Sequence, residues 1–113
     1  MSVEERVKAA LDVFGDPVEK SVLYVAAGAV RYYTFSCAST GDDFGDDEPG
    51  CERWMVMVHL FAPLAENCNQ RAKETKQALF DAGFTWPRQT DATDQDGQHL
   101  VFECETADFE EAE

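Results

Sequence analysis

The stretch Arg53-Trp54-Met55-Val56-Met57-Val58-His59-Leu60-Phe61-Ala62 constrains this chain more than any other. Side chains alternate across a β-strand, so Trp54, Val56, Val58 and Leu60 share one face, and Met55, Met57, His59 and Phe61 share the other. Both sets are largely apolar. Such a strand belongs in the middle of a sheet with cover on both sides. A pair of helices can cover one face. The other needs a folded-over loop or a second subunit.

The flanking sequence supplies the helices. Ser2-Val3-Glu4-Glu5 has the form of a capping box, with Ser2 as N-cap and Glu5 at N3. Val3, Val7, Ala10, Leu11 and Phe14 follow at helical spacing, and Gly15 and Pro17 stop the run, which predicts a helix over 3–14. A second helix is expected from Pro63 to Ala82, with Leu64, Cys68, Ala72, Thr75, Leu79 and Ala82 on its apolar face and Gly83 past its end. Residues 22–27 read as a short apolar strand. Val30 to Cys37 is a clearer one, with Tyr33, Phe35 and Cys37 alternating against Tyr32, Thr34 and Ser36. Pro87 interrupts a strand over 84–90 and assigns it to an edge. Asp96-Gly97 predicts a tight hairpin turn into a strand over 98–105, with Leu100, Phe102 and Cys104 inward and His99, Val101, Glu103 and Glu105 outward. The expected fold class is α+β: a mostly antiparallel sheet of about four strands, with two helices packed on one face. Residues 1–106 read as a single domain and 107–113 as an acidic C-terminal tail.

Charge narrows the range of partners. The chain carries a formal charge of −14 over 113 residues. Six acids and no base lie in 41–52, and nine acids and no base in 91–113. The remainder is near neutral. Such a distribution repels phosphates, so direct nucleic-acid binding is not expected. No apolar run is long enough to span a membrane, and the acidic start does not resemble a signal peptide. Residence in the cytoplasm of the host cell is therefore expected, with free thiols at Cys37, Cys51, Cys68 and Cys104.

The candidate chemistries are weak on spacing. The loop Asp42-Asp43-Phe44-Gly45-Asp46-Asp47-Glu48 has oxygen ligands but not the spacing of a calcium-binding helix–loop–helix, and it reads as a solvated loop with Phe44 as an anchor. Asp94, Asp96, Gly97 and Glu103 echo part of such a loop without its first ligand or its helices. No CxxC or CxH pair offers a zinc site. His99 and Cys104 differ by an odd number of strand positions and point to opposite faces, which excludes them as a nucleophile–base pair. The two histidines read as strand residues with a hydrogen-bond partner. No catalytic residue, cofactor or metal ligand is assigned, and the chain is expected not to be an enzyme. What remains is an excess of large apolar side chains, Tyr32, Trp54, Met55, Met57, Phe61 and Trp86, of the kinds enriched in interface cores. The expected interface comprises Trp54, Met55, Met57 and Phe61, with Phe44, Asp42, Asp43, Asp46 and Asp47 from the acidic loop.

The strand from Arg53 to Pro63, the helix to Ala82, then Gly83-Phe84-Thr85-Trp86-Pro87 and Asp96-Gly97-Gln98-His99-Leu100-Val101-Phe102-Glu103 resemble the small tail-terminator (tail-completion) proteins of tailed bacteriophages, in their prophage versions. The upstream helix and the Tyr32-Tyr33-Thr34-Phe35 strand with its acidic loop fit the same pattern. The resemblance implies a non-enzymatic structural subunit that self-assembles into a ring, commonly of six copies, at the head–tail junction of the virion, against tail-tube and head-connector proteins. A different class of function is a small acidic binding module for a basic protein, acting as a nucleic-acid mimic or inhibitor.

Overall fold

The computed structural model describes residues 2–20, 31–39, 51–95 and 97–109. The expected strand over 22–27 lies outside these residues. In chain order the elements are α1 (Val3–Asp12), β1 (Val18–Lys20), β2 (Tyr32–Ser39), β3 (Cys51–Ala62), α2 (Asn69–Asp81), β4 (Arg88–Asp91) and β5 (Gln98–Phe109). The five strands form one sheet in the order β1-β2-β3-β5-β4. The fold is α+β as expected, with five strands in place of about four, and the mostly antiparallel sheet is mixed: β1 runs parallel to β2, while β2–β3, β3–β5 and β4–β5 are antiparallel.

The central position expected for β3 holds. It pairs along its whole length with β5, from Cys51↔Phe109 to Ala62↔Gln98, and on its other side with β2, from Tyr32↔Phe61 to Ser39↔Trp54. The inward set of each strand then forms one layer with the helices. Tyr33, Phe35, Val56, Val58, Leu60 and Phe102 are each at most 2% exposed, and they pack with Val3, Val7 and Leu11 of α1 and Ala72 and Leu79 of α2. Burying a side chain of this size contributes roughly 1.5–3 kcal/mol, so this layer carries most of the fold's stability.

Local chemistry explains the element ends. The capping box at α1 is complete: the Glu5 amide donates to Ser2 Oγ (3.1 Å) and the Ser2 amide to Glu5 Oε1 (2.9 Å). Gly15 and Gly83 both take positive φ (80° and 101°), the left-handed conformation that ends a helix at low cost only with glycine. The second helix begins at Asn69, not at Pro63. Asn67 Oδ1 accepts from the Asn69 amide at 2.9 Å, a local turn that competes with the helical ladder. Leu64 consequently lies before the helix, exposed, instead of on its apolar face. The hairpin turn also centres one residue earlier than the Asp96-Gly97 pair implies: Gly97 is itself the bridge partner of Asp94. Finally, β5 continues to Phe109, paired with Cys51, where an acidic tail was expected from residue 107. The facing strand β3 begins two residues earlier than its apolar pattern, so β5 has a partner to extend against.

Buried polar groups clamp α2 to the sheet. The Thr75 hydroxyl donates to the Arg71 carbonyl (2.8 Å), so Tyr33 donates its own proton to Thr75 Oγ1 (2.8 Å). Arg71 in turn hydrogen-bonds Tyr33, sits 4.7 Å over the Phe14 ring, and reaches Asp16 Oδ2 at 2.5 Å. Burial pushes the Tyr33 phenol above its ordinary range, so it remains a donor.

Candidate functional site

The alternation that fills the helix-covered layer also builds the opposite face of the same sheet. Tyr32 and Thr34 of β2, Met55, Met57, His59 and Phe61 of β3, and His99, Val101, Glu103 and Glu105 of β5 all point there. Both helices pack on the other side. Apart from Thr34, which is buried next to its register partner His59, these side chains are half-buried.

At one end of this face four rings assemble. Phe61 stacks on Tyr32 (centroids 4.8 Å apart) and on His99 (4.4 Å), each being its direct cross-strand partner. His59 lies two positions along β3 from Phe61 and so meets His99 on the diagonal. His59 Nδ1 and His99 Nε2 are 2.8 Å apart. Burial holds both imidazoles below the usual histidine range, helped at His59 by repulsion from His99, while Asp91 and Asp94 pull His99 back upward. The strand histidines thus have the hydrogen-bond partner expected of them, and that partner is each other. Neither parity nor composition could show this, because it depends on the β3–β5 register.

At the other end, Met55, Thr85, Trp86, Arg88, Glu103, Cys104 and Glu105 line a cleft of about 280 Å³. Trp86 is 53% exposed and meets Phe80 of α2 edge-on at 5.6 Å. Arg53 pairs with Glu105 (3.5 Å), and Arg88 is the cross-strand register partner of Glu103.

Of the expected interface residues, Met55, Met57 and Phe61 share this face. Trp54 does not. It lies on the helix-covered side, half-buried against the core, because it is an odd number of positions from Met55, Met57 and Phe61 along the strand. Its buried indole N–H has no hydrogen-bond partner among the described residues. Asp42, Asp43, Phe44, Asp46 and Asp47 lie outside the described residues.

Two further features had no signal in the sequence. A groove of about 560 Å³ runs between the helices, lined by Ala9, Ala10, Val13, Ala78 and Ala82, with Arg6 and Asp81 beside them. Asp16 gathers two guanidinium groups, Arg71 at 2.5 Å and Arg31 at 3.7 Å, and Arg31 also reaches Glu66 at 3.3 Å. These ion pairs join the end of α1 to α2 and to the start of β2, a structural role.

The thiols of Cys37, Cys68 and Cys104 are poor nucleophiles. Burial pushes Cys104 up to about 12 and Cys37 up to about 11, and raises Cys68 as well, so each stays protonated at neutral pH. Among the described residues no group of three or more His, Cys, Asp or Glu is arranged to hold a metal ion, and no helix is long and apolar enough to cross a membrane. No protein-family model matches this chain, and no curated protein matches it in sequence.

Proposed function

We propose that this chain is a non-enzymatic assembly subunit that acts by self-association through the sheet face opposite its helices. The observation that carries this reading is the arrangement of Tyr32, Met55, Met57, Phe61 and Val101 on a face that neither helix covers. Met and aromatic side chains on a rigid, paired sheet are the usual material of an interface core. The protonated thiols, and histidines that hydrogen-bond each other, support a binding role over nucleophilic catalysis. The resemblance to phage tail terminators extends the reading: the subunit closes into a ring at the head–tail junction and contacts tail-tube and head-connector proteins. A heterologous contact that closes on rotation would generate such a ring. The reading as a module for basic partners is less well supported, since the carboxylates of the Trp86 cleft already face Arg53 and Arg88.

Light scattering after gel filtration, over a concentration series, tests the proposal. The expected result is a mass that rises to a fixed multiple of the subunit, with rings visible by negative-stain microscopy. Met57→Lys places a charge in the middle of the face and should return the chain to a monomer with an unchanged circular dichroism spectrum. Val13→Lys, in the groove between the helices, should leave the mass unaltered. Assembly that survives Met57→Lys but fails with Val13→Lys would transfer the interface to the helices. A monomer at every concentration, alone and with tail-tube protein, would end the assembly reading.

A further inference from the structure

We propose that the outer stripe of α2, Lys73, Lys76 and Phe80, together with Trp86, is the docking site for the acidic segment 42–48 of a second copy of this chain. The identity of the occupant rests on the self-association reading, to which this stripe adds the second surface that a head-to-tail contact needs.

The receiving surface is marked by side chains without partners. Phe80 is 49% and Trp86 53% exposed, and they are the only exposed aromatic side chains among the described residues. They meet edge-on at 5.6 Å, so each steadies the other without covering it. The chain has nine Lys and Arg against 23 Asp and Glu, so carboxylates are plentiful for its cations. Lys8, Lys20, Arg31, Arg53 and Arg71 each pair with one, and Arg6 meets the Thr106 hydroxyl. Arg88 lies in register with Glu103. Lys73 and Lys76 have neither an ion pair nor a side-chain hydrogen bond among the described residues. The acids beside them on α2 are engaged elsewhere, Glu74 by Arg71 and Gln70, and Asp81 by Gln77.

Spacing and charge select the occupant. Residues 73, 76 and 80 fall on one stripe of the helix, away from its core side (Ala72, Thr75 and Leu79) and from the groove side (Ala78 and Ala82). Along the helix axis Lys76 lies about 6 Å and Lys73 about 10 Å from Phe80. In an extended peptide, rising about 3.3 Å per residue, acids two and three residues beyond an aromatic anchor are level with those lysines. Asp46 and Asp47 stand at these offsets from Phe44, in a segment with five acids and no base. On docking, the Phe44 ring fills the apolar corner at Phe80 and Trp86, and the carboxylates close the rim with ion pairs. The other acidic stretch with a phenylalanine, 108–113, is not equivalent, because Phe109 is already paired with Cys51 in the sheet. One chain has both the stripe and the segment, so each copy gives one contact and takes one, the heterologous arrangement from which a ring closes.

The test is titration of a synthetic peptide of residues 41–50, blocked at both ends, into the ¹⁵N-labelled full chain, diluted until light scattering reports a single subunit. The expected result is saturable shifts of the Trp86 indole and of the amides of residues 73, 76 and 80. Lys73→Glu/Lys76→Glu in the chain, or Phe44→Ser in the peptide, should each weaken binding at least tenfold. The double lysine variant should also assemble less than the unaltered chain. Absence of saturable shifts, or equal peptide binding by the double variant, would overturn the proposal. Assembly that survives in the double variant but not in Met57→Lys would refute the stripe and leave self-association through the sheet face standing. A monomer at every concentration would remove self-association, and the second copy with it as occupant. If the double variant loses its circular dichroism spectrum, Trp86→Ser, which leaves α2 intact, takes its place in the peptide titration, and unchanged affinity there would equally refute the site.

Discussion

The two faces of the sheet are built from the same three long strands and have comparable numbers of large apolar side chains, yet they end in different states. On the helix side, Tyr33, Phe35, Val58, Leu60 and Phe102 are sealed within the chain. On the other side, Tyr32, Met57, Phe61 and His99 are half-buried, and Phe61 stacks on both Tyr32 and His99. The first face uses its apolar surface for folding. The second leaves much of it uncovered by either helix. Alternation along one strand thus sorts sealed from half-buried side chains, residue by residue.

The sharpest way to break this comparison is to remove one ring from each side. Phe102→Ala should destabilise the chain by about 3–5 kcal/mol, the usual cost of emptying a fully buried phenylalanine site. Phe61→Ala should cost well under half of that in urea unfolding. Equal losses would mean that both faces belong to one closed core. The next largest effect should come from Tyr33→Phe, which leaves Thr75 without its donor and takes an acceptor from Arg71. A loss of about 1–1.5 kcal/mol is expected, seen as a lower denaturation midpoint with an unchanged slope. Gly83→Ala should cost about 1 kcal/mol, through the strain of a positive φ with a Cβ. Crowding would not contribute, since the nearest atom to that Cβ is 3.9 Å away.

The smallest effect is a pH dependence belonging to the uncovered face. His59 and His99 both titrate lower in the folded chain than their ordinary value near 6.5. Between that value and the folded ones, the unfolded chain binds more protons, so stability rises with pH in this window. It is fully present above about pH 6.5 and is lost as the pH falls below it. Urea melts at pH 7.5 and 5.0 should show the loss, and the double variant His59→Gln/His99→Gln should lose less on the same acidification. An equal loss in both would assign the acid sensitivity to carboxylates elsewhere.

Much of this architecture was legible in the chain. Period-two alternation placed Met55, Met57, His59 and Phe61 on one face of their strand and His99 on the outward face of its own, and the Ser2–Glu5 box and Gly83 marked helix ends that the structure keeps. The failures have local causes. The three residues of β1 are too few to show a period, and their parallel pairing is set by tertiary contact, through the Tyr33 amide on the Pro17 carbonyl and the Lys20–Glu4 ion pair at 2.7 Å. The start of α2 was misplaced because the Asn67 turn outweighs the helix signal of Pro63. Trp54 was grouped by residue type rather than by parity, which set it beside side chains on the opposite face. The histidine pair needed the register of two strands separated by a helix and a hairpin, which no single-strand pattern contains.

The strand order has a consequence for how the chain is made. β5 is the last strand of the sheet in chain order, but it lies between β3 and β4. Until it is synthesised, β4 has no strand to join, and one whole edge of β3, the most apolar segment, lacks partners for its amides and carbonyls. Arg6, near the start, also awaits Thr106, whose hydroxyl it meets at 2.9 Å. The nascent chain therefore carries an open, sticky edge from the emergence of β3 until that of β5. A ribosome stalled with β3 exposed and β5 not yet made would display a template for aggregation, so the speed at which β5 emerges matters to the yield of folded protein.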